Sequence, residues 1–220
     1  MGEFLSNFLI YLEFEGSDLL AQASQHAIAV GISVFLATVI ALTVGCLVYE
    51  RNRSATVALQ VAGTILTIPS FALFGILIPI LGLGWGPTLV ALTLYGLLPI
   101  LRNTIAGLRG VDQAVTDSAQ GMGLSRSQRL FRIELPLAAP VILAGIRVST
   151  LILMGIAAIA AAVAGPGLGE GIFSGLARIG SASALFQVTG GILGVVLLAI
   201  AFDIGFFIVR RLVISKGIRQ

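Results

Sequence analysis

The sequence predicts an all-α integral membrane protein with about five transmembrane helices, and three observations carry that prediction. Of its 220 residues, 57% are hydrophobic and 10% charged, against about 25% charged in ordinary soluble chains. The mean hydropathy is +1.06, concentrated in five apolar stretches near the length of about 20 residues that a helix needs to cross a bilayer. None of them alternates apolar and polar residues as a barrel strand does, and backbone groups in lipid must be paired internally, so the stretches are helices.

Taken in order, the first segment carries Glu3, Glu13, Glu15 and Asp18 where a signal peptide has its basic region, so insertion is expected to begin with the first span. Residues 4–14 read as an amphipathic helix lying on the outer surface. The first span covers 21–48, with His26 near its outer end as an interfacial group and Cys46 as a small buried side chain. The second covers 55–81 and is interrupted by Pro69 and Pro79. The third, 87–101, is the shortest and is interrupted by Pro99. At 1.5 Å per residue its roughly 15 residues nearly cross a 30 Å core when Gly86 and Arg102 flank it. The fourth and fifth cover 137–163 and 184–209, and Gly190 and Gly194 in the fifth have the spacing that lets helices approach closely. Between these two, Gly165-Pro166-Gly167-Leu168-Gly169-Glu170-Gly171 reads as an outward loop leading to a half-helix at 172–179. It serves as an outer gate, a docking surface for a binding protein, or a plain connection.

The net charge is +3 and the pI about 9.6, but the cations sit at span ends, so they point to topology and not to nucleic acid. Arg51 and Arg53 follow the first span, Arg102, Arg109, Arg126, Arg129 and Arg132 follow the third, and Arg210, Arg211, Lys216 and Arg219 follow the fifth; only Arg178 falls on the other side. The positive-inside rule then places the N-terminus outside and the C-terminus in the cytoplasm. The lone cysteine excludes an internal disulfide and a cysteine metal cluster. A chain of this length is expected to form one membrane domain, 1–220, with no soluble domain attached.

The polar segment between the third and fourth spans has its own punctuation. Asp112 is placed to cap a short helix, and Gly121 and Gly123 permit the left-handed geometry that ends one. Ser125 caps a second helix running to about Glu134, and Pro136 opens the next span where a missing N–H does little harm. A helix–glycine–helix unit of this kind presents a knob to a partner's groove. Arg126, Arg129 and Arg132, spaced by three, read as lying along anionic lipid headgroups.

The order Asp117-Ser118-Ala119, three residues, Gly123, nine residues, Ile133, one residue, Leu135-Pro136 resembles the EAA signature of binding-protein-dependent ABC importers, E-A-A-x3-G-x9-I-x-L-P. Asp117 stands where the family has Glu and Ser118 where it often has Ala. The resemblance implies a type I ABC importer permease of the MetI-like fold. Its coupling loop, about 102–136, grips an ATPase through Asp117, Ser118, Ala119, Gly121, Gly123, Ile133, Leu135 and Pro136. It also implies two ATPase subunits carrying ATP and Mg, a second permease of the same or a related chain, and an extracytoplasmic binding protein, in a bacterial or archaeal cell (inner) membrane. No phosphate loop can be drawn around the single lysine, Lys216, so ATP hydrolysis belongs to a partner and this chain is expected to bind no cofactor and no metal.

Within that family the chain resembles the permeases for glycine betaine, carnitine and choline. The strings that carry this are Ile68-Pro69-Ser70-Phe71-Ala72-Leu73, Tyr95-Gly96-Leu97-Leu98-Pro99-Ile100-Leu101-Arg102-Asn103-Thr104, Gly121-Met122-Gly123 and Ala138-Ala139-Pro140-Val141-Ile142-Leu143-Ala144-Gly145-Ile146-Arg147. Thr67, Ser70, Phe71 and Tyr95 stand near the proline breaks and are candidates for the path wall, where aromatic faces attract a quaternary ammonium. The alternative for the aromatics is packing. Arg147 and Asp203 lie inside apolar runs, where charges are costly and usually paired, and are expected to pair across helices. The competing classes are a permease for another small polar solute, a self-sufficient channel or ion-coupled carrier, and a membrane enzyme. No repeat and few deep acidic residues support a carrier, and no ligand cluster supports an enzyme.

Overall fold

The apolar stretches fold as helices in a computed structural model that describes residues 2–181 and 183–213; Lys216 and Arg219 of the topology argument lie outside the described residues. In chain order these are α1 (Gly2–Val48), α2 (Asn52–Thr67), α3 (Ser70–Leu81), α4 (Trp85–Arg109), α5 (Gln113–Gly121), α6 (Arg126–Arg129), α7 (Leu135–Ile159), α8 (Gly169–Ala177) and α9 (Ala184–Val213). A five-residue π turn, Leu130–Glu134, joins α6 to α7, and a 3-10 turn, Ala160–Val163, follows α7. No strand occurs among the described residues. Four helical stretches among them are long and apolar enough to span a membrane, and α2 with α3 makes a fifth as a broken pair.

Three expectations are corrected. Residues 4–14 are not a separate surface helix: they belong to the 47-residue α1, because no proline or left-handed glycine stops the helix before the first span. There Phe8 stacks with Phe4 and Tyr11, and Phe186 packs on all three with ring centroids 5.4–6.3 Å away. Of the three prolines, only Pro69 ends a helix, as the extended residue before α3, while Pro79 and Pro99 lie inside α3 and α4. Around Pro99 the Ser149 hydroxyl donates to the Gly96 carbonyl at 3.0 Å.

The third correction concerns the junction at Pro136, which lies in the first turn of α7: no break separates it from α6, and the helix runs on from Arg126 to Val163. The wider π turn just before Pro136 relieves the clash of a proline ring with the preceding carbonyls. In the glycine-rich connection residues 165–169 are buried, and α8 follows as the short helix expected there. A Cβ on Gly167, whose φ is +117°, would stand 2.8 Å from the His26 ring, and one on Gly169 would strike the Ala158 carbonyl. Glycine is required here because backbone meets side chain and backbone at close range.

The described helices sort into two compact units. The first is built from residues 2–33, 68–93 and 151–202 and buries Val30 of α1, Phe74 of α3, Leu92 of α4, Leu153 and Met154 of α7, and Leu168. His26 is fully buried in it, its Nε2 bonded to the Met154 carbonyl at 3.1 Å, so it is a core group and not an interfacial one. The second unit takes residues 34–67, 94–150 and α9 from Asp203 onward. Its core joins Ala37, Ala41 and Tyr49 to Ala55 and Ala62 of α2, Ile100, Leu101, Ile105 and Leu108 of α4, and Ala138 and Ile142 of α7. Small residues bring backbones close here: a Cβ on Gly145 would lie 2.9 Å from the Pro99 carbonyl.

Candidate functional site

The segment from α5 to α7, within the second unit, holds the residues singled out by the spacing argument. Asp112 caps α5 through its side chain, accepting the Ala114 N–H at 2.8 Å. At the other end Gly123 adopts φ +81°, its N–H bonding the Gln120 carbonyl at 2.9 Å and the Leu124 N–H the Ala119 carbonyl at 3.2 Å. This pair of bonds is the Schellman arrangement that closes a helix on a left-handed residue. Only Gly123 uses left-handed geometry; Gly121 is the last helical residue of α5. Ser125 then opens α6 with a reciprocal capping box, its N–H to the Gln128 side chain at 2.9 Å and the Gln128 N–H to its hydroxyl at 3.4 Å.

Asp117, Ser118, Gly121 and Gly123 are exposed, Ala119 is fully buried, Ile133 and Leu135 are half-buried and Pro136 is exposed. Asp117 also lines a cleft of about 500 Å³ shared with Tyr49, Arg109, Thr116, Arg129 and Glu134. Beside the polar positions stand Val115, Met122 and Phe131, large apolar side chains 40%, 72% and 67% exposed. The result is a short, rigidly capped helix presenting one carboxylate, small residues and an apolar rim, which is what a groove-binding knob requires.

Beneath this surface lies an ionic network. Glu134, the last residue of the π turn and 2% exposed, accepts the Tyr49 hydroxyl at 2.6 Å and Arg129 Nε–H at 2.5 Å. Arg129 also reaches Glu50 at 3.3 Å, Arg126 pairs with Glu50 at 2.8 Å, and Arg109 donates to the Tyr49 carbonyl at 2.7 Å. Burial and the hydrogen bonds to Glu134 and Glu50 push the Tyr49 phenol well above its ordinary pKa, so it stays a donor at physiological pH. Of the three arginines read as lipid-facing, only Arg129 is thus tied inward, by Glu134; Arg126 stays exposed while pairing with Glu50, and Arg132 is exposed. Tyr49, Glu50 and Glu134 were not among the expected site residues. The signals for them are an acidic residue held between apolar Ile133 and Leu135, and a Tyr-Glu pair closing the first span.

Residues 33–215 match the family described as binding-protein-dependent transport system inner membrane component. This chain belongs to that family. It is 37% identical, over 96% of its length and 95% of the other's, to the choline transport system permease protein OpuBB of Bacillus subtilis. It is 34% identical, over 98% and 97%, to the glycine betaine/carnitine/choline transport system permease protein OpuCB of the same organism. Its fold matches that of a chain in an inward-facing structure of the MetNI methionine ABC transporter, with a TM-score of 0.78 at 22% identity, covering 90% of this chain and 96% of that one. The MetI-like, all-helical permease fold is therefore its fold.

Of the candidate path residues, Thr67 and Tyr95 belong to the second unit, Ser70 and Phe71 to the first. Tyr95 is 2% exposed and Phe71 62%, while the Thr67 hydroxyl bonds the Thr64 carbonyl at 2.7 Å. Within the second unit Arg147 and Asp203 meet as expected, through Nε–Oδ1 at 2.5 Å and Nη2–Oδ2 at 2.8 Å. Among the described residues no His, Cys, Asp and Glu group is arranged to hold a metal ion.

Proposed function

We propose that this permease forms, with a second permease of the same or a related chain, the membrane path of an ATP-driven importer for a quaternary ammonium osmoprotectant such as glycine betaine, carnitine or choline. Two ATPase subunits supply ATP and Mg chemistry, and an extracytoplasmic binding protein delivers the solute. The capped α5 knob, from Asp117 to Gly123, is the contact with the ATPase, with Ile133, Leu135 and Pro136 setting the start of the span behind it. Residues 1–220 act as a single permease domain in the cell (inner) membrane, the N-terminus outside and the C-terminus in the cytoplasm. Thr67, Ser70, Phe71 and Tyr95 contribute to the path wall.

The observation that carries this reading is the Schellman-closed helix in EAA register, in a chain that matches osmolyte permeases over nearly its whole length. Its test is ATP-dependent uptake of labelled glycine betaine in proteoliposomes supplied with the ATPase and binding protein, with choline and carnitine as competitors. Uptake is expected in the wild type and lost in Gly123→Trp, which still inserts in the membrane. Absence of uptake from a complex that assembles and hydrolyses ATP discards the quaternary-amine substrate. Loss of insertion in Gly123→Trp makes the glycine structural.

A further inference from the structure

We propose that Tyr49 and Glu134 are positioning residues that latch the coupling segment to the end of the first span, so that both move as one body when an ATPase bound at α5 changes state. The inference rests on the ATPase-docking reading of α5 and goes beyond it, because none of the latch residues belongs to the EAA positions.

Three observations support the latch. First, its centre is a buried carboxylate that is fully used: Glu134 takes one bond from Tyr49 and one from Arg129, each to a different oxygen. Arg129, on the same helix, compensates the charge, while Tyr49 supplies the bond from the end of α1; separating the two segments leaves a buried carboxylate oxygen without its partner. Second, the latch joins parts of the chain that are otherwise separate. Tyr49 and Glu50 follow α1, Arg109 ends α4, Gln120 lies in α5, and Arg126 and Arg129 form α6. Arg129 alone reaches Glu134, Glu50 and, at 3.5 Å, the Gln120 side chain. A push on α5 therefore has a hydrogen-bonded and ionic route, through Arg129, to Tyr49 and Glu50 after the end of α1, besides the covalent route into α7. Third, Glu134 occupies the π turn itself, a geometry frequent at functional positions; the turn carries the carboxylate between Ile133 and Leu135 into the protein.

The test uses the assembled permease–ATPase complex with spin labels at Arg53→Cys and Ser127→Cys in a Cys46→Ser background. Their distance distribution is measured without nucleotide and after trapping with ATP and vanadate. In the wild type the distribution is expected to be single and the same in both states. Tyr49→Phe, which keeps the ring and drops only the hydroxyl, and Glu134→Gln are each expected to add a second distance population in the trapped state. The double variant is expected to be no worse than either single change. A wild-type distance that shifts on trapping, or variants that leave it single, overturns the latch. Loss of both variants from the membrane overturns it too, since the network is then a folding element. The docking reading fails separately: it falls if Asp117→Arg and Gly123→Trp leave ATPase co-purification intact.

Discussion

At the scale of single residues, two glycines two positions apart have different reasons to be glycine. Gly123 holds φ +81° with open space around its Cβ direction, so its constraint is conformational, and an L-residue there costs roughly 1–2 kcal/mol. Gly121 is helical with equally open space, where alanine gains up to about 1 kcal/mol of helix propensity. Gly121→Ala is therefore expected to raise the melting temperature of the detergent-solubilised permease, and Gly123→Ala to lower it. Equal shifts in the two variants would refute the assignment. Local chemistry of this kind was legible from the sequence: Asp112 and Ser125 cap where they were expected to, because a cap depends on residues two or three places away. The fate of His26 was not legible. Its burial is set by Met154 and Gly167, distant in sequence, and no periodicity in the first span announces them.

At the scale of elements, α7 and α9 are joined within the second unit by Arg147 and Asp203 in a two-bond fork. Both sit in helices otherwise apolar over several turns, where an unpaired charge is costly and a partner restores much of the loss. Their half-exposed side chains, 49% and 34%, mean that the pair is not sealed inside this chain, so each single reversal leaves two like charges facing a poorly solvating surface. Arg147→Asp and Asp203→Arg are each expected to lower the amount of permease recovered from membranes, and the double exchange to restore it. If the exchange does no better than either single change, the pair contributes nothing. This contact was readable from two depths along the chain, Arg147 after Pro136 and Asp203 before Arg210. The continuity of α4 through Pro99 was not, because a proline within an apolar run reads equally as the end of a helix or as a residue the helix carries through. Nor was the π turn, which no residue pattern marks.

At the scale of the whole molecule, the proposed orientation rests on the charges. Arg51, Arg53 and the arginines from Arg102 to Arg132 flank spans on one side, and Glu3, Glu13, Glu15 and Asp18 precede the first span. The positive-inside bias acts through short loops near span ends, which is where these cations are. The ion pairs of Arg126 and Arg129 with Glu50 do not weaken it, because the rule weighs cations and takes little account of acids. In a Cys46→Ala background, Ser17→Cys and Ser127→Cys each place one exposed thiol, in α1 and in α6. A membrane-impermeant maleimide added to intact cells is expected to label Ser17→Cys and spare Ser127→Cys, with the pattern reversed in inside-out vesicles. Labelling of Ser127→Cys from outside would put α5 on the wrong side for any cytoplasmic ATPase. That single result would remove the coupling role from Asp117–Gly123 and the latch behind it, while leaving the fold and the family membership untouched.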